Sequence, residues 1–203
     1  NLNIKSKQNI ALIGESGSGK TTIAKLIANY YEVNEGSIRI NNEDIKKYTK
    51  ESIRSQILYV PQQIEIFSGT IMDNILLGRK IEEKKVFEIA IKLGFDAVID
   101  KLPMGYNTMI GEKGINLSLG QMQILNIIRA TINDYQIIIF DEITNGLDFS
   151  LKEKVCNYLF HYGNIKIFIT HDLEFAKKCD DFYLVKNKVL LHDNSVLYND
   201  KNF

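Results

Sequence analysis

The sequence predicts an α/β domain: a mostly parallel sheet covered by helices on both faces, with a helical subdomain inserted into it. Three observations predict this. Near the start, an apolar run passes through a glycine-rich loop into a helical stretch. From Ile137 onward, apolar runs alternate with helical or polar stretches, as in a parallel sheet whose strands are buried on both faces. From Glu82 to about Ile99 the periodicity is helical, and no strand pattern appears between there and Ile137.

In chain order, Asn9–Gly14 (NIALIG) reads as a buried strand feeding a loop, and Thr22–Tyr31 as a helix with Ile23, Leu26, Ile27 and Tyr30 on one face. Ile38 and Ile40 alternate with polar neighbours after Gly36, as in a half-exposed strand. Ile57–Val60 (ILYV) is a buried strand closed by Pro61. From Glu82 to about Ile99, Val86, Ile89, Ala90 and Leu93 recur three and four apart, the spacing of one helix face. Ile137–Phe140, Ile165–Ile169 and Phe182–Val185 are the later strands. Neither an internal repeat nor a low-complexity tract is present.

The 203 residues suffice for one compact domain with an inserted subdomain. Hydrophobic residues make up 45% and charged residues 25%, the proportions of a folded globular chain, and two prolines argue against long disordered stretches. Net charge is zero and no segment is polybasic, so nucleic acid is not expected as a partner. Cys156 and Cys179 stand far apart without a CxxC pattern and read as free thiols. No apolar run approaches the ~18 residues of a membrane span, and no signal peptide is recognisable. A membrane segment, if one is involved, is expected elsewhere.

The chemistry starts at Gly14-Glu15-Ser16-Gly17-Ser18-Gly19-Lys20-Thr21, which satisfies G-x-x-x-x-G-K-[ST]. Glycines let consecutive backbone N–H groups turn inward on phosphate oxygens, and the following helix adds the positive end of its dipole. Lys20 is expected on the β- and γ-phosphates and the Thr21 hydroxyl on magnesium. Ile137–Phe140 then delivers two adjacent carboxylates, Asp141 and Glu142. An acid at that strand end holds magnesium through its water shell, the role expected of Asp141. Glu142, one residue on, is placed to activate water as general base.

Upstream lies Leu117-Ser118-Leu119-Gly120-Gln121, followed by an apolar helix. Ser118 and Gln121 have capping-box spacing, so a well-capped helix is the plain reading. Its place about twenty residues before the carboxylate strand points further. The segment resembles the signature of ABC proteins, usually LSGGQ. Other stretches follow that family's order: Gln62 after Val60-Pro61, Asn145-Gly146-Leu147-Asp148 where the family usually has SALD, and His171 after Ile165–Thr170. Phe67–Ile75, Leu102–Thr108 and Gly111-Glu112-Lys113-Gly114 look like the exporter-type domains, especially those of bacteriocin and peptide exporters.

The resemblance implies a P-loop NTPase (RecA-like) core over 1–64 and 117–203, a small antiparallel β subdomain, and a helical subdomain over 65–116. It implies ATP and Mg2+ as cofactors, with Gln62 beside Thr21 and Asp141 at the metal. His171 would contact the γ-phosphate, and Thr22 would join the phosphate loop in holding the nucleotide. Ser118, Gly120 and Gln121 would act on ATP held by a second ABC domain, in a homodimer or a heterodimer. It implies a transmembrane domain fused upstream, a place on the cytoplasmic face of a membrane, and ATP hydrolysis driving export, with peptide as the preferred substrate. A soluble ABC ATPase acting on ribosomes or DNA, or a regulatory nucleotide-binding module without turnover, are the alternatives.

Two departures from the family pattern stand out. The family's adenine-stacking aromatic precedes the phosphate loop, and no aromatic occurs among the thirteen residues before Gly14, so it is expected upstream of Asn1. A chain without it should bind ATP roughly ten- to a hundredfold more weakly. Leu119 stands where the family usually has glycine, a change that limits close approach to a partner's nucleotide and raises the heterodimer alternative.

Overall fold

The computed structural model of the chain describes residues 1–112 and 114–192, so Lys113 of the Gly111–Gly114 segment lies outside the described residues. In chain order the elements are β1 (Asn9–Ile13), α1 (Lys20–Ile27), β2 (Arg39–Ile40), β3 (Glu43–Asp44), α2 (Lys50–Gln56) and β4 (Ile57–Val60). Then come β5 (Gly69–Thr70), α3 (Ile71–Leu76), α4 (Glu83–Leu93), α5 (Asp96–Ile99), β6 (Met109–Ile110) and α6 (Leu119–Thr131). The chain continues through β7 (Ile137–Asp141), α7 (Phe149–His161), β8 (Ile165–Ile169), α8 (Leu173–Ala176), β9 (Asp181–Lys186) and β10 (Val189–Leu191). They form two compact units. One comprises Asn1–Pro61, Tyr135–Ile143 and the stretch from Gly163 onward; the other comprises Gln62–Asp134 and Thr144–Tyr162.

The first unit holds a six-stranded sheet of order β10-β9-β1-β8-β7-β4, parallel except for β10. Its apolar runs are continuous because both faces are covered. Ile10 and Leu12 of β1 pack with Ala24, Ile139, Ile167 and Ile169, while Ala11 and Ile13 turn to the other face with Ala176 and Leu184. All four β1 side chains are fully buried. Burial of each large one contributes about 1.5–3 kcal/mol. Phe168 of β8 stacks on Phe140 at 5.5 Å and meets Phe175 edge-on at 4.9 Å. Lys166 is fully buried in the same strand, where its Nζ donates to the Asn164 carbonyl at 2.7 Å and burial pushes its pKa down to about 8. The small β2–β3 pair is antiparallel.

Helix α1 is displaced from its expected span, starting at Lys20 and ending at Ile27. Asn29 takes φ 57°, its N–H donates to the Leu26 carbonyl, and the N–H of Tyr30 reaches back to that of Lys25 at 2.8 Å. That left-handed closure stops the helix before Tyr30 despite the continuing periodicity.

In the second unit α4 buries Val86, Ile89, Ala90 and Leu93, the expected face. Gly94, φ 71°, ends it, so the stretch expected to run to Ile99 is two helices, α4 and α5. The expectation of no strand between Glu82 and Ile137 is also corrected, since β6 lies there and pairs antiparallel with β5, Ile110 with Gly69 and Met109 with Thr70. Strands of two residues are too short to show alternation. The expected helical insert over 65–116 falls within this unit, which also takes in α6 and α7. Arg129 of α6, nearly buried, ties the unit together: its guanidinium donates to the Asn74 carbonyl, to Asn74 Oδ1 at 2.8 Å and to the Glu65 carbonyl at 2.6 Å.

Candidate functional site

Strand β1 ends at Ile13 and the chain turns at once through Gly14, φ 142°. A Cβ on Gly14 would lie 2.3 Å from the Val185 carbonyl oxygen of β9, so only glycine lets the loop start this close to the sheet. Gly17 and Gly19 also take positive φ, 79° and 110°, with open space around them. Gly19 caps α1 without a side-chain bond, leaving the first N–H groups of that helix for an external acceptor. Lys20 is nearly buried, and its Nζ donates to the carbonyls of Gly14 at 2.7 Å and Glu15 at 2.8 Å. Thus the ammonium is held inside the loop against uncharged oxygens. Glu15, Ser16, Thr21 and Thr22 are exposed, while the Ser18 hydroxyl is buried without a partner. A cavity of about 310 Å³ runs beside the loop, lined by residues 15–18 and by the end of β9 with the turn after it, residues 184–188.

Asp141 ends β7 beside this loop. Its Oδ2 accepts from the Thr21 hydroxyl at 2.9 Å and from the Tyr59 hydroxyl at 2.8 Å. Thr21 and Asp141 thus converge as expected, and Tyr59 is an addition. The apolar run ILYV located β4 but gave no sign that the Tyr59 hydroxyl turns to Asp141. Burial, then the hydrogen bond and charge of Asp141, hold the Tyr59 phenol far above its usual pKa, so it stays a donor. No cluster of three or more His, Cys, Asp or Glu that could hold a metal occurs among the described residues. One hydroxyl and one carboxylate fit a magnesium ion that brings phosphate oxygens and water as its other ligands.

Glu142 sits at φ 53°, a left-handed conformation uncommon away from glycine, fixed by its N–H donating to the Ile169 carbonyl at 2.9 Å. Its Oε2 is buried and has no aligned hydrogen-bond donor. The Nδ1 atom of His171 comes within 2.9 Å of that oxygen, at ion-pair distance but outside hydrogen-bond alignment. Asp141, Glu142 and His171 are therefore assembled at the ends of neighbouring parallel strands, β7 and β8.

The other expected residues belong to the second unit. Gln62, exposed, follows Pro61 directly after β4. Ser118 caps α6, and the capping box is complete: Ser118 Oγ accepts from the Gln121 N–H at 3.3 Å, and Gln121 Oε1 accepts from the Ser118 N–H at 2.9 Å. Gly120 is buried, and Leu119 is exposed.

Sheet topology, loop and the Thr21–Asp141 contact define a P-loop nucleotide-binding domain of the α/β class. Residues 1–145 match the family described as ABC transporter. The Lactococcin-G-processing and transport ATP-binding protein LagD of Lactococcus lactis subsp. lactis is 38% identical over 193 residues, 94% of this chain and 28% of that protein. The ATP-dependent lipid A-core flippase of Escherichia coli (strain K12) is 34% identical over 195 residues, 94% of this chain and 34% of that protein. A solved structure, that of a bacterial Atm1-family ABC exporter with ATP bound, matches with a TM-score of 0.84 at 31% identity, covering 92% of this chain and 33% of that one. The chain belongs to the ABC transporter family, as an ATP-binding domain of the exporter type. It spans about a third or less of the length of these relatives. No helix among the described residues is long and apolar enough to cross a membrane.

Proposed function

We propose that the chain is the ATP-hydrolysing motor of an exporter, one of two domains that close around ATP at the cytoplasmic face of a membrane. The observation that carries the reading is Glu142, a buried carboxylate beside the phosphate loop's own acid, with an oxygen that no aligned hydrogen-bond donor holds. Lys20 turns from its carbonyls to the β- and γ-phosphates, and the first N–H groups of α1 hold their oxygens. Thr21, Asp141 and Gln62 would hold magnesium, which supplies charge neutralisation at the phosphates. Glu142 takes a proton from water as the water oxygen bonds to the γ-phosphorus and the bond to the ADP oxygen breaks. His171 orients Glu142 and meets the γ-phosphate.

Ser118, Gly120 and Gln121 act on ATP held by the other domain. A transmembrane domain upstream in the same polypeptide carries the cargo, and peptide is the proposed cargo class. The likeness to LagD supports that choice. Glu142→Gln should bind ATP with unchanged affinity and lower steady-state hydrolysis about a hundredfold or more. Hydrolysis by that variant at the parent rate rejects the general-base assignment.

A further inference from the structure

Tyr30 continues the helical pattern of α1 and yet lies outside the helix. The left-handed turn at Asn29 closes α1 before it, and its ring rests edge to face against Tyr59 of β4, with centroids 6.0 Å apart. The guanidinium of Arg54, in the last turn of α2, stands 5.9 Å from the centroid of the same ring. Tyr30 is nevertheless 55% exposed, too little buried to serve the core. Its neighbour Tyr31 is about equally exposed and meets Lys25 instead.

The contact with Tyr59 leads to the phosphate loop. Tyr59 donates its hydroxyl hydrogen to Oδ2 of Asp141, the oxygen that also accepts from Thr21, while Oδ1 accepts no hydrogen bond among the described residues. Two donors on one oxygen restrict rotation of the carboxylate and leave the other oxygen for a cation or its water shell. The phenol reaches Oδ2 only while the Tyr59 ring keeps its place. Among the described residues, Tyr30 is the one aromatic ring against it.

We infer that Tyr30 is a positioning residue for the magnesium site, acting through Tyr59 to hold Asp141 in the orientation that the ion needs. The inference rests on the reading of Asp141 and Thr21 as magnesium residues. An exposed ring just past the end of α1 thereby takes part in metal binding at one remove: it holds the donor, and the donor holds the carboxylate.

The test measures binding of manganese, in place of magnesium, to the chain loaded with ADP, a nucleotide the reaction does not consume. With the chain in excess over ADP, so that the nucleotide is bound, the EPR signal of free Mn2+ gives the metal affinity, and ADP affinity in EDTA is titrated in parallel. Tyr30→Ala should weaken manganese binding about three- to tenfold and leave ADP affinity in EDTA unchanged. Tyr30→Phe, which keeps the ring, and Tyr31→Ala, which removes only the neighbouring ring, should both match the parent. In the Tyr59→Phe background, where the link is already cut, Tyr30→Ala should weaken binding by less than about twofold. The magnesium concentration for half-maximal ATP hydrolysis should shift by the same factor as the manganese affinity. Tyr30→Gln repeats the series if the alanine variant folds poorly. Parent manganese affinity in Tyr30→Ala overturns the inference, and so does an undiminished loss in the Tyr59→Phe background, because Tyr30 then does not act through the phenol. Parent manganese affinity in Asp141→Asn removes the magnesium reading itself.

Discussion

Nδ1 of His171 lies 2.9 Å from a carboxylate oxygen of Glu142 that has no aligned donor of its own. The histidine side chain is largely exposed and the glutamate is nearly buried, so the ring stands against a carboxylate oxygen that no aligned donor among the described residues reaches. Removing it costs orientation more than binding. His171→Ala should lower kcat for ATP hydrolysis about ten- to a hundredfold while KM changes less than threefold. An unchanged kcat means the contact has no part in turnover.

Tyr59 offers a second test, because its hydroxyl shares Oδ2 of Asp141 with Thr21. Tyr59→Phe keeps the ring contact with Tyr30 at 6.0 Å and removes only the donor. The expected result is a three- to tenfold higher magnesium concentration for half-maximal activity, with a stability loss of about 1 kcal/mol. Since the phenol is held protonated far above its usual range, the pH profile of activity below pH 9 should keep its shape.

Arg129 is a matter of stability. Its guanidinium supplies donors to Asn74 and Glu65, and methionine would leave the buried Asn74 carbonyl without that donor. Arg129→Met should cost about 3 kcal/mol in denaturant unfolding. Asn74→Ala should also lower stability, because the Asn74 side chain accepts from the Phe67 N–H as well as from Arg129 and donates to the carbonyls of Phe67 and Thr70.

Lys166 links stability to pH. Its folded pKa, about 8, lies below the free-chain value of 10.5, so between those values the unfolded chain binds more protons and stability rises with pH. Below about pH 8 the lysine is charged in both states and the desolvation penalty is constant. Lys166→Met should therefore be more stable than the parent at pH 7, and the gap should narrow as pH rises from 8 to 9.5. A gap that widens with pH would contradict the direction given by burial.

The parts legible in the sequence are those where chemistry needs fixed residues at fixed spacing. The phosphate loop, the Asp141–Glu142 pair and the capped start of α6 were readable for that reason, and the central strands because burial on both faces leaves long apolar runs. Less was legible where one backbone angle or one side-chain direction decides. Asn29 ends α1 by turning left-handed inside an unbroken helical pattern. Lys166 interrupts the apolar run of β8 with a charged group, and nothing in the pattern shows that its side chain is fully buried. Gly146 could be compared with the family's usual alanine, but only the position of the Leu119 side chain shows what its missing methyl group accommodates.

The capping box of α6 uses the acceptors of its two side chains and spares their hydrogens. Ser118 Oγ and Gln121 Oε1 each receive a backbone N–H, while the serine O–H and the glutamine amide hydrogens have no further partner among the described residues. Together with the N–H groups of Leu119 and Gly120, the helix start offers its surroundings more donors than acceptors. Water satisfies such a surface indifferently; a fully ionised phosphate group, which has oxygens and no hydrogens to offer, fits it in kind, and an ammonium group, which has hydrogens only, does not.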